Sequence, residues 1–195
     1  MKRLSGLVAA TALTVAFAAG TADAQTLKFS TVGKPNDPDA VAMRAWAQYV
    51  EDNSDIEVDV FDSASLVEQG KQGQALARGT IDGAYMSPAW IAEQLPAWGV
   101  LATPYLLTGA DHVCAFRMSD MWGAMASDVE EGMEIVLLDA AYQGTRTLNL
   151  RSQKDVQTPE DMNGMSIRVV PSPLNILMGE GLGGNPTPVA VSELY

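Results

Sequence analysis

The sequence holds one cysteine, Cys114, and one histidine, His112, among 195 residues. A single thiol excludes an internal disulfide, and one histidine with one cysteine is too few for a zinc cluster. On a helix these two residues stand at i and i+2 and point in different directions, which disfavours a Cys–His catalytic pair. The G-x-S-x-G, P-loop and G-x-G-x-x-G motifs are missing as well. The sequence therefore predicts no catalytic residues, no metal site and no cofactor.

Basic residues are also scarce, since 12 Lys and Arg stand against 24 Asp and Glu for a net charge of −12. This balance opposes binding to nucleic acid, whose phosphates must be neutralised by Lys and Arg. It equally opposes adhesion to an anionic membrane surface. It says little about a small ligand, because a few local charges override the global sign.

Outside the N-terminus the sequence has no long hydrophobic run. There Lys2 and Arg3 precede an apolar stretch from Leu7 to Ala19 that is too short for a good membrane span. A small-x-small site follows at Ala22–Ala24. The pattern is typical of a secretory signal peptide over residues 1–24, cleaved after Ala24, with an uncleaved anchor as the alternative. Cleavage would leave an exported chain with a net charge of −13, because Lys2, Arg3 and one aspartate are removed.

Strand and helix patterns alternate along the remaining chain, which predicts an α/β fold with a largely parallel sheet. The strands are predicted at Thr26–Val32, Ile56–Phe61, Thr80–Ser87, Glu134–Tyr142 and Met165–Val170. The helices are predicted at Asp39–Asn53, Ser65–Gly79 and Asp111–Gly132, with two capped starts at Thr158–Pro159 and Ser172–Pro173.

Two arginines stand apart from the others because they accompany predicted buried strands. Arg168 lies inside the strand that feeds the capped helix start at Ser172, and Arg146 follows the strand that ends near Tyr142. In open α/β folds ligands lie beyond the carboxyl ends of strands, where a helix N-terminus adds partial positive charge. An arginine fork there matches a carboxylate. An internal salt bridge to one of the many acids explains each arginine about as well.

Several segments resemble those of one transporter family, over the chain from Leu27 to Tyr195. "GTIDGAYMSPAWI" is similar to the family's segment where a strand reaches the cleft, "GVLATPYLL" to its loop of the form L-x-L-P-F-L, and "AYQGTR" to its strand end with an arginine. The block from Thr158 onward is more specific, because T-P-x-D-x-x-G, I-R-V, G-x-x-P-x-P and S-E-x-Y keep the family's order and spacing. The family is that of the periplasmic solute-binding proteins of TRAP (tripartite ATP-independent periplasmic) transporters.

The resemblance implies a two-lobed, periplasmic-binding-protein-like α/β fold that closes on an organic acid. The family's signature arginine matches Arg168 and pairs with the substrate carboxylate, and a second arginine of the site matches Arg146. Ser87 falls where some members carry a polar or acidic cleft residue, and Tyr142 and Pro171 fall near the same site. The implied partners are a small carboxylate ligand and integral-membrane permease subunits, and the implied location is the periplasm.

The resemblance also predicts the domain organisation, with a first lobe over residues 25–148 and the start of a second lobe over residues 149–195. The family continues beyond S-E-x-Y, whereas this sequence stops at Tyr195. We therefore expect a C-terminally truncated member whose second lobe is incomplete. Two other functions stay open on the sequence: a secreted α/β hydrolase-like enzyme, and a ligand-sensing receptor that is not coupled to transport.

Overall fold

The structure is a computed structural model that describes residues 26–151 and 153–194. The predicted signal peptide and its cleavage after Ala24 lie outside these residues. The described strands are β1 (Thr26–Ser30), β2 (Glu57–Phe61), β3 (Gly83–Ala84), β4 (Ser166–Val169) and β5 (Asn185–Pro188). The described α-helices are α1 (Pro38–Asn53), α2 (Gln72–Ala77), α3 (Pro88–Ile91), α4 (Ala110–Arg117), α5 (Asp120–Met133) and α6 (Pro173–Gly181). Three 3₁₀ helices cover Pro96–Ala102, Pro159–Met162 and Val191–Glu193.

The first sheet has three parallel strands in the order β2-β1-β3, which confirms the predicted parallel sheet. Its period-two pattern turns Phe29 and Val58 toward α1, where they pack with Met43 and Ala47. The ring of Phe29 also lies 4.6 Å from that of Trp46, measured between centroids. Burial of this apolar face against α1 is the main stabilising contribution to this unit.

A second core lies beside the first sheet, where α5 packs on the segment from α3 to the 3₁₀ helix that follows it. Its buried residues are Ile91, Trp98, Met125, Val129, Met133 and Ile135. Trp98 and Trp122 meet edge to face with centroids 6.1 Å apart, a favoured arrangement for aromatic pairs. The segment that leaves α5 toward Arg146 therefore starts from a buried position.

The second sheet pairs β4 with β5 in parallel, with Ile167 opposite Pro186 and Val169 opposite Pro188. β4 was predicted, but β5 was not, because a proline cannot donate to a strand ladder. β5 tolerates both prolines because, among the described residues, it pairs on one side only. Ile167 and Val169 face inward onto Met162, so they form a third small core with the 3₁₀ helix.

The predicted strand at Glu134–Tyr142 is wrong. Ile135 is 8% exposed and lies in the second core, but Val136 and Leu138 are 64% and 71% exposed. Within the described chain, no backbone group of residues 135–150 bonds to another backbone group. An apolar run indicates side chains that can be buried. A strand also needs a neighbouring strand whose backbone forms hydrogen bonds with its own.

The face of α1 that packs on the sheet contains Ala40, Met43 and Ala47. Val41 and Tyr49 are apolar as well, yet they are 52% and 67% exposed. The small side chains of Ala40 and Ala47 let the helix lie close to the sheet. Apolar periodicity alone does not predict which face of a helix is buried.

The predicted helix at Asp111–Gly132 is two helices, because the Ser119 hydroxyl accepts a hydrogen bond from Trp122 N and starts α5 anew. Met118 and Met121, which lie at and just after this break, are exposed. The predicted helix at Ser65–Gly79 is shorter as well and covers Gln72–Ala77. No helix in the described part of the chain is long and apolar enough to cross a membrane.

Gly83 provides a sharp test of the first core, because a Cβ at this position would overlap the ring of Phe29. We expect Gly83→Ala to destabilise the protein by about 1–3 kcal/mol, the usual cost of overpacking. The matched control is Gly123→Ala in α5, where no atom lies within 4 Å of the added Cβ. It should stabilise by roughly 0.5–1 kcal/mol, because Ala is the better helix former. Urea unfolding followed by circular dichroism measures the free energy of unfolding of both variants. Changes of the same sign in the two variants would contradict the close contact between Gly83 and Phe29.

The turn before β4 gives a pH-dependent prediction. The backbone N–H groups of Thr158 and Gln157, 2.9 and 3.1 Å from the Asp161 carboxylate, hold the pKa of Asp161 below its ordinary value of 3.8. A carboxylate with a lowered pKa stabilises the fold above its ordinary pKa, and that stability is lost as pH falls through the folded-state pKa. The Tm gap between wild type and Asp161→Asn should therefore shrink below pH 3.8. A gap that is equal at pH 6 and pH 2.5, or one matched by the exposed control Asp128→Asn, would refute this role.

Candidate functional site

Arg168 occupies the second sheet with its side chain turned outward. In β4 the neighbours Ile167 and Val169 are buried, so strand alternation directs Arg168 to the opposite side. Its Nε donates a hydrogen bond of 2.9 Å to the carbonyl oxygen of Val189. This contact uses the inner nitrogen of the guanidinium and leaves both terminal nitrogens without a described partner. A free fork of this kind is the geometry that binds a carboxylate through two hydrogen bonds.

Arg146 lies in the unpaired stretch that follows α5, close enough for its charge to act on Arg168. Partial desolvation, and then the charge of Arg146, lower the pKa of the Arg168 guanidinium. In the described chain neither arginine forms an ion pair, whereas Arg44 pairs with Asp62 at 2.7 Å and Arg117 with Asp139 at 2.6 Å. The internal salt bridge that the sequence left open is thus not found among the described residues. Two cations without a described counter-ion are available to attract an anion.

Tyr142 sits where the unpaired stretch passes the first sheet, and it is 40% exposed. The adjacent residue, Ala141, accepts a hydrogen bond of 3.3 Å from the Tyr85 hydroxyl just beyond β3. Burial, and then the charge of Asp39, raise the pKa of Tyr85, so this hydroxyl stays protonated and donates at neutral pH. The structure therefore places Tyr142 at the carboxyl edge of the first sheet, where ligands of α/β folds lie.

Ser87 and Pro171 have local structural roles in the described chain. The Ser87 hydroxyl accepts from Ala89 N at 3.3 Å and caps α3. Pro171 is half-buried and immediately precedes Ser172, whose hydroxyl accepts from Asn175 N at 3.3 Å and caps α6. The predicted cap at Ser172 is confirmed, while ligand contacts by Ser87, Tyr142 and Pro171 stay predictions.

Sequence reasoning missed Gln69, which lies in the loop before α2. Its side-chain oxygen accepts a hydrogen bond of 3.0 Å from Val191 N, across 122 positions in sequence. Val191 is two residues from Val189, the partner of Arg168. A half-buried glutamine in a loop carries no motif or periodicity, so no sequence signal pointed to this contact.

A groove of about 560 Å³ lies at the amino end of β2, away from the arginines, and is lined by Glu51, Asp55, Glu57 and Asp59 among others. Four carboxylates would repel an anionic ligand. In the described residues no group of three or more His, Cys, Asp and Glu side chains is placed to hold a metal ion. His112 contacts Thr108, with its Nδ1 3.4 Å from the hydroxyl, and Cys114 is exposed. The described groups best suited to a small anion are therefore the two arginines.

Comparison with known proteins agrees with this fold. The sequence profile of bacterial extracellular solute-binding protein family 7 matches residues 29–195. A TRAP periplasmic solute binding protein from Roseobacter denitrificans, solved with bound 3-deoxy-D-manno-oct-2-ulosonic acid, is 31% identical with a TM-score of 0.83. One from Citrobacter koseri, solved with bound D-glucuronate, is 27% identical with a TM-score of 0.77. The match covers 89% of this chain and 57% of the first structure, and 88% of this chain and 57% of the second.

Among curated relatives, an ectoine/5-hydroxyectoine-binding periplasmic protein from Ruegeria pomeroyi is 28% identical over 188 residues, which are 93% of this chain and 54% of the relative. The chain thus spans about half the length of the curated relatives it matches. It belongs to solute-binding protein family 7, and the predicted resemblance to TRAP solute-binding proteins is confirmed. The predicted α/β, periplasmic-binding-protein-like fold class is confirmed too, and the relatives' printed names agree with a periplasmic location.

The repulsion between the two arginines can be measured without a ligand. At about 10 mM salt Arg146→Gln should raise Tm, because it removes a like charge that acts on Arg168. The gain should vanish near 1 M salt, where the screening length falls from about 30 to about 3 Å. Arg78→Gln at the exposed end of α2 is the control, and it should not raise Tm because the chain is net negative. A gain in Tm that is equal for both variants would contradict repulsion between Arg146 and Arg168. A gain that persists near 1 M salt would contradict it as well.

Proposed function

We propose that this chain captures an organic acid and delivers it to the integral-membrane subunits of a TRAP transporter. The observation that carries the proposal is Arg168, whose terminal nitrogens have no described partner and whose guanidinium lies close enough to Arg146 to be affected by its charge. The ligands bound in the Roseobacter and Citrobacter structures are both sugar acids, so they share the carboxylate that such a pair would neutralise. No cofactor takes part in this function.

The binding energy would come mainly from charge-assisted hydrogen bonds. The terminal nitrogens of Arg168 would hold the carboxylate through two bonds, and Arg146 would supply the second positive charge. Each such bond contributes about 1.5–3 kcal/mol. Ser87, Tyr142 and Pro171 would line the remainder of the cleft and orient the rest of the acid.

The proposed cleft lies between a first lobe of residues 25–148 and a second lobe that begins at residue 149. Gln69 and Val191 contact each other across this boundary, as do Gly99 and Leu174, where a Cβ built on Gly99 would lie 3.8 Å from the Leu174 side chain. Approach of the two lobes would exclude water from the arginines and strengthen their attraction for the acid.

Export fits the same function. Cleavage after Ala24 would release the chain into the periplasm, where it would meet both its ligand and the permease. The protein would perform no chemistry on the ligand, since His112 contacts Thr108 and no described base activates Cys114. The ligand is therefore expected to be recovered intact after binding.

The proposal is tested by Arg168→Ala. A thermal-shift screen of D-glucuronate, 3-deoxy-D-manno-oct-2-ulosonic acid, ectoine and C4-dicarboxylates would first identify the ligand, because binding to the native state raises Tm. Calorimetry should then show that Arg168→Ala weakens the affinity more than about tenfold, since loss of ~1.4 kcal/mol is one decade.

The control for this experiment is Arg78→Ala, an exposed arginine at the end of α2. Its affinity should equal that of wild type. The proposal fails if Arg168→Ala binds as tightly as wild type, or if Arg78→Ala loses as much. Mass spectrometry of the recovered ligand would reveal turnover and so favour an enzyme instead.

A further inference from the structure

The orientation of Arg168 depends on a single described hydrogen bond. Its Nε donates to the carbonyl oxygen of Val189, which fixes the plane of the guanidinium and directs the terminal nitrogens away from that contact. Val189 in turn donates its N–H to the Val169 oxygen at 3.1 Å, so it continues the β4–β5 pairing by one residue. Beyond Val189 this pairing ends, and the described hydrogen bonds of the next two residues are local ones with Glu193 and Leu194, apart from one contact with a distant residue.

Gln69 supplies that contact from the other lobe. Its side-chain oxygen accepts from Val191 N at 3.0 Å, two residues beyond Val189. An amide N–H held by a neutral acceptor contributes about 0.5–1.5 kcal/mol, enough to favour one backbone position over a mobile one. Gln69 therefore restrains the segment whose carbonyl orients Arg168.

The loop that carries Gln69 is itself rigid. Gly70 has a φ of +83°, a conformation that glycine adopts easily, and its N–H donates to the side-chain oxygen of Gln72 at 2.9 Å. Gln72 is 1% exposed, so this loop is tied to a buried side chain. Gly70 also lies against the ring of Trp90, which a Cβ at this position would approach to 3.0 Å. The acceptor on Gln69 is thus preorganised before any ligand binds.

We infer that Gln69 is a positioning residue for Arg168: it holds the Val189–Val191 segment, and through Val189 it sets the direction in which the arginine presents its fork to an anion. The inference rests on the proposed function for its ligand, but the placement of the segment can be tested without one. Gln69 contacts no reacting group and acts only through the backbone that bonds Arg168.

Three substitutions separate this role from general stability. Gln69→Met keeps the length of the side chain and removes the acceptor, whereas Gln69→Glu keeps an acceptor oxygen and should rescue the contact. Gln74→Met makes the same change at an exposed position of α2 and serves as the matched control.

The ligand-free measurement uses spin labels at Ala45→Cys in α1 and Ser192→Cys, in a Cys114→Ser background. Gln69→Met should broaden the distance distribution between the labels, and Gln69→Glu and Gln74→Met should leave it as in the parent. An unchanged distribution in Gln69→Met would overturn the inference, whatever the protein binds.

The second measurement is a double-mutant cycle on D-glucuronate affinity. Gln69→Met should weaken binding about two- to tenfold in the wild-type background, the range of one neutral hydrogen bond. In an Arg168→Gln background it should cost nothing further, because Gln69 acts through Arg168. An equal loss in both backgrounds would show an ordinary structural role and overturn the inference. Absence of D-glucuronate binding by wild type would count against that ligand in the proposed function, and the spin-label result would then decide the inference.

Discussion

The hydrogen bond from Arg168 Nε to the carbonyl oxygen of Val189 is the interaction on which the arrangement of the site depends, because the charge of Arg146 acts against the Arg168 guanidinium. Two like charges held near each other cost free energy, and a protein with 24 acidic residues has ample means to neutralise them. The described residues instead hold Arg168 through the backbone carbonyl of Val189, a neutral partner. Arg44 and Arg117 show the contrasting case, since each is paired with an aspartate. Arg78, at the end of α2, also has no ion pair among the described residues, so the contact with Val189, and not a missing counter-ion, distinguishes Arg168.

The overall charge of −12 works against an approaching anion only at long range. At physiological ionic strength exposed charges are largely screened beyond about 8 Å, so the distant carboxylates of α1 and β2 contribute little at the site. In the proposed site the arginines would contact the carboxylate directly, and partial desolvation of Arg168 would strengthen its attraction for the anion. Local geometry thus decides the sign of the potential that a ligand meets.

Capping motifs and strand alternation allowed β4 and the helix starts on either side of it to be predicted. Thr158 and Asp161 form the expected capping box, and Ser172 caps α6 where the sequence predicts it. These signals are local, because each hydrogen bond joins residues three or four apart. Arg168 was singled out by the same local reasoning, as a charge within a strand that leads to a cap.

Prediction failed where the structure depends on distant neighbours. Val136 and Leu138 look like strand residues, yet they have no adjacent strand in the described chain. β5 forms in spite of Pro186 and Pro188, because β4 pairs with it on one side. The contact between Gln69 and Val191 joins two loops far apart in sequence, and no local pattern encodes it.

The most direct measurement of the central claim is a crystal structure of the protein with bound D-glucuronate. The account predicts the sugar carboxylate between the two arginines, with its oxygens about 2.7–2.9 Å from the terminal nitrogens of Arg168. It also predicts that Nε of Arg168 keeps its bond to Val189. A carboxylate that binds elsewhere, with the arginines facing only solvent or an acidic side chain, would contradict it.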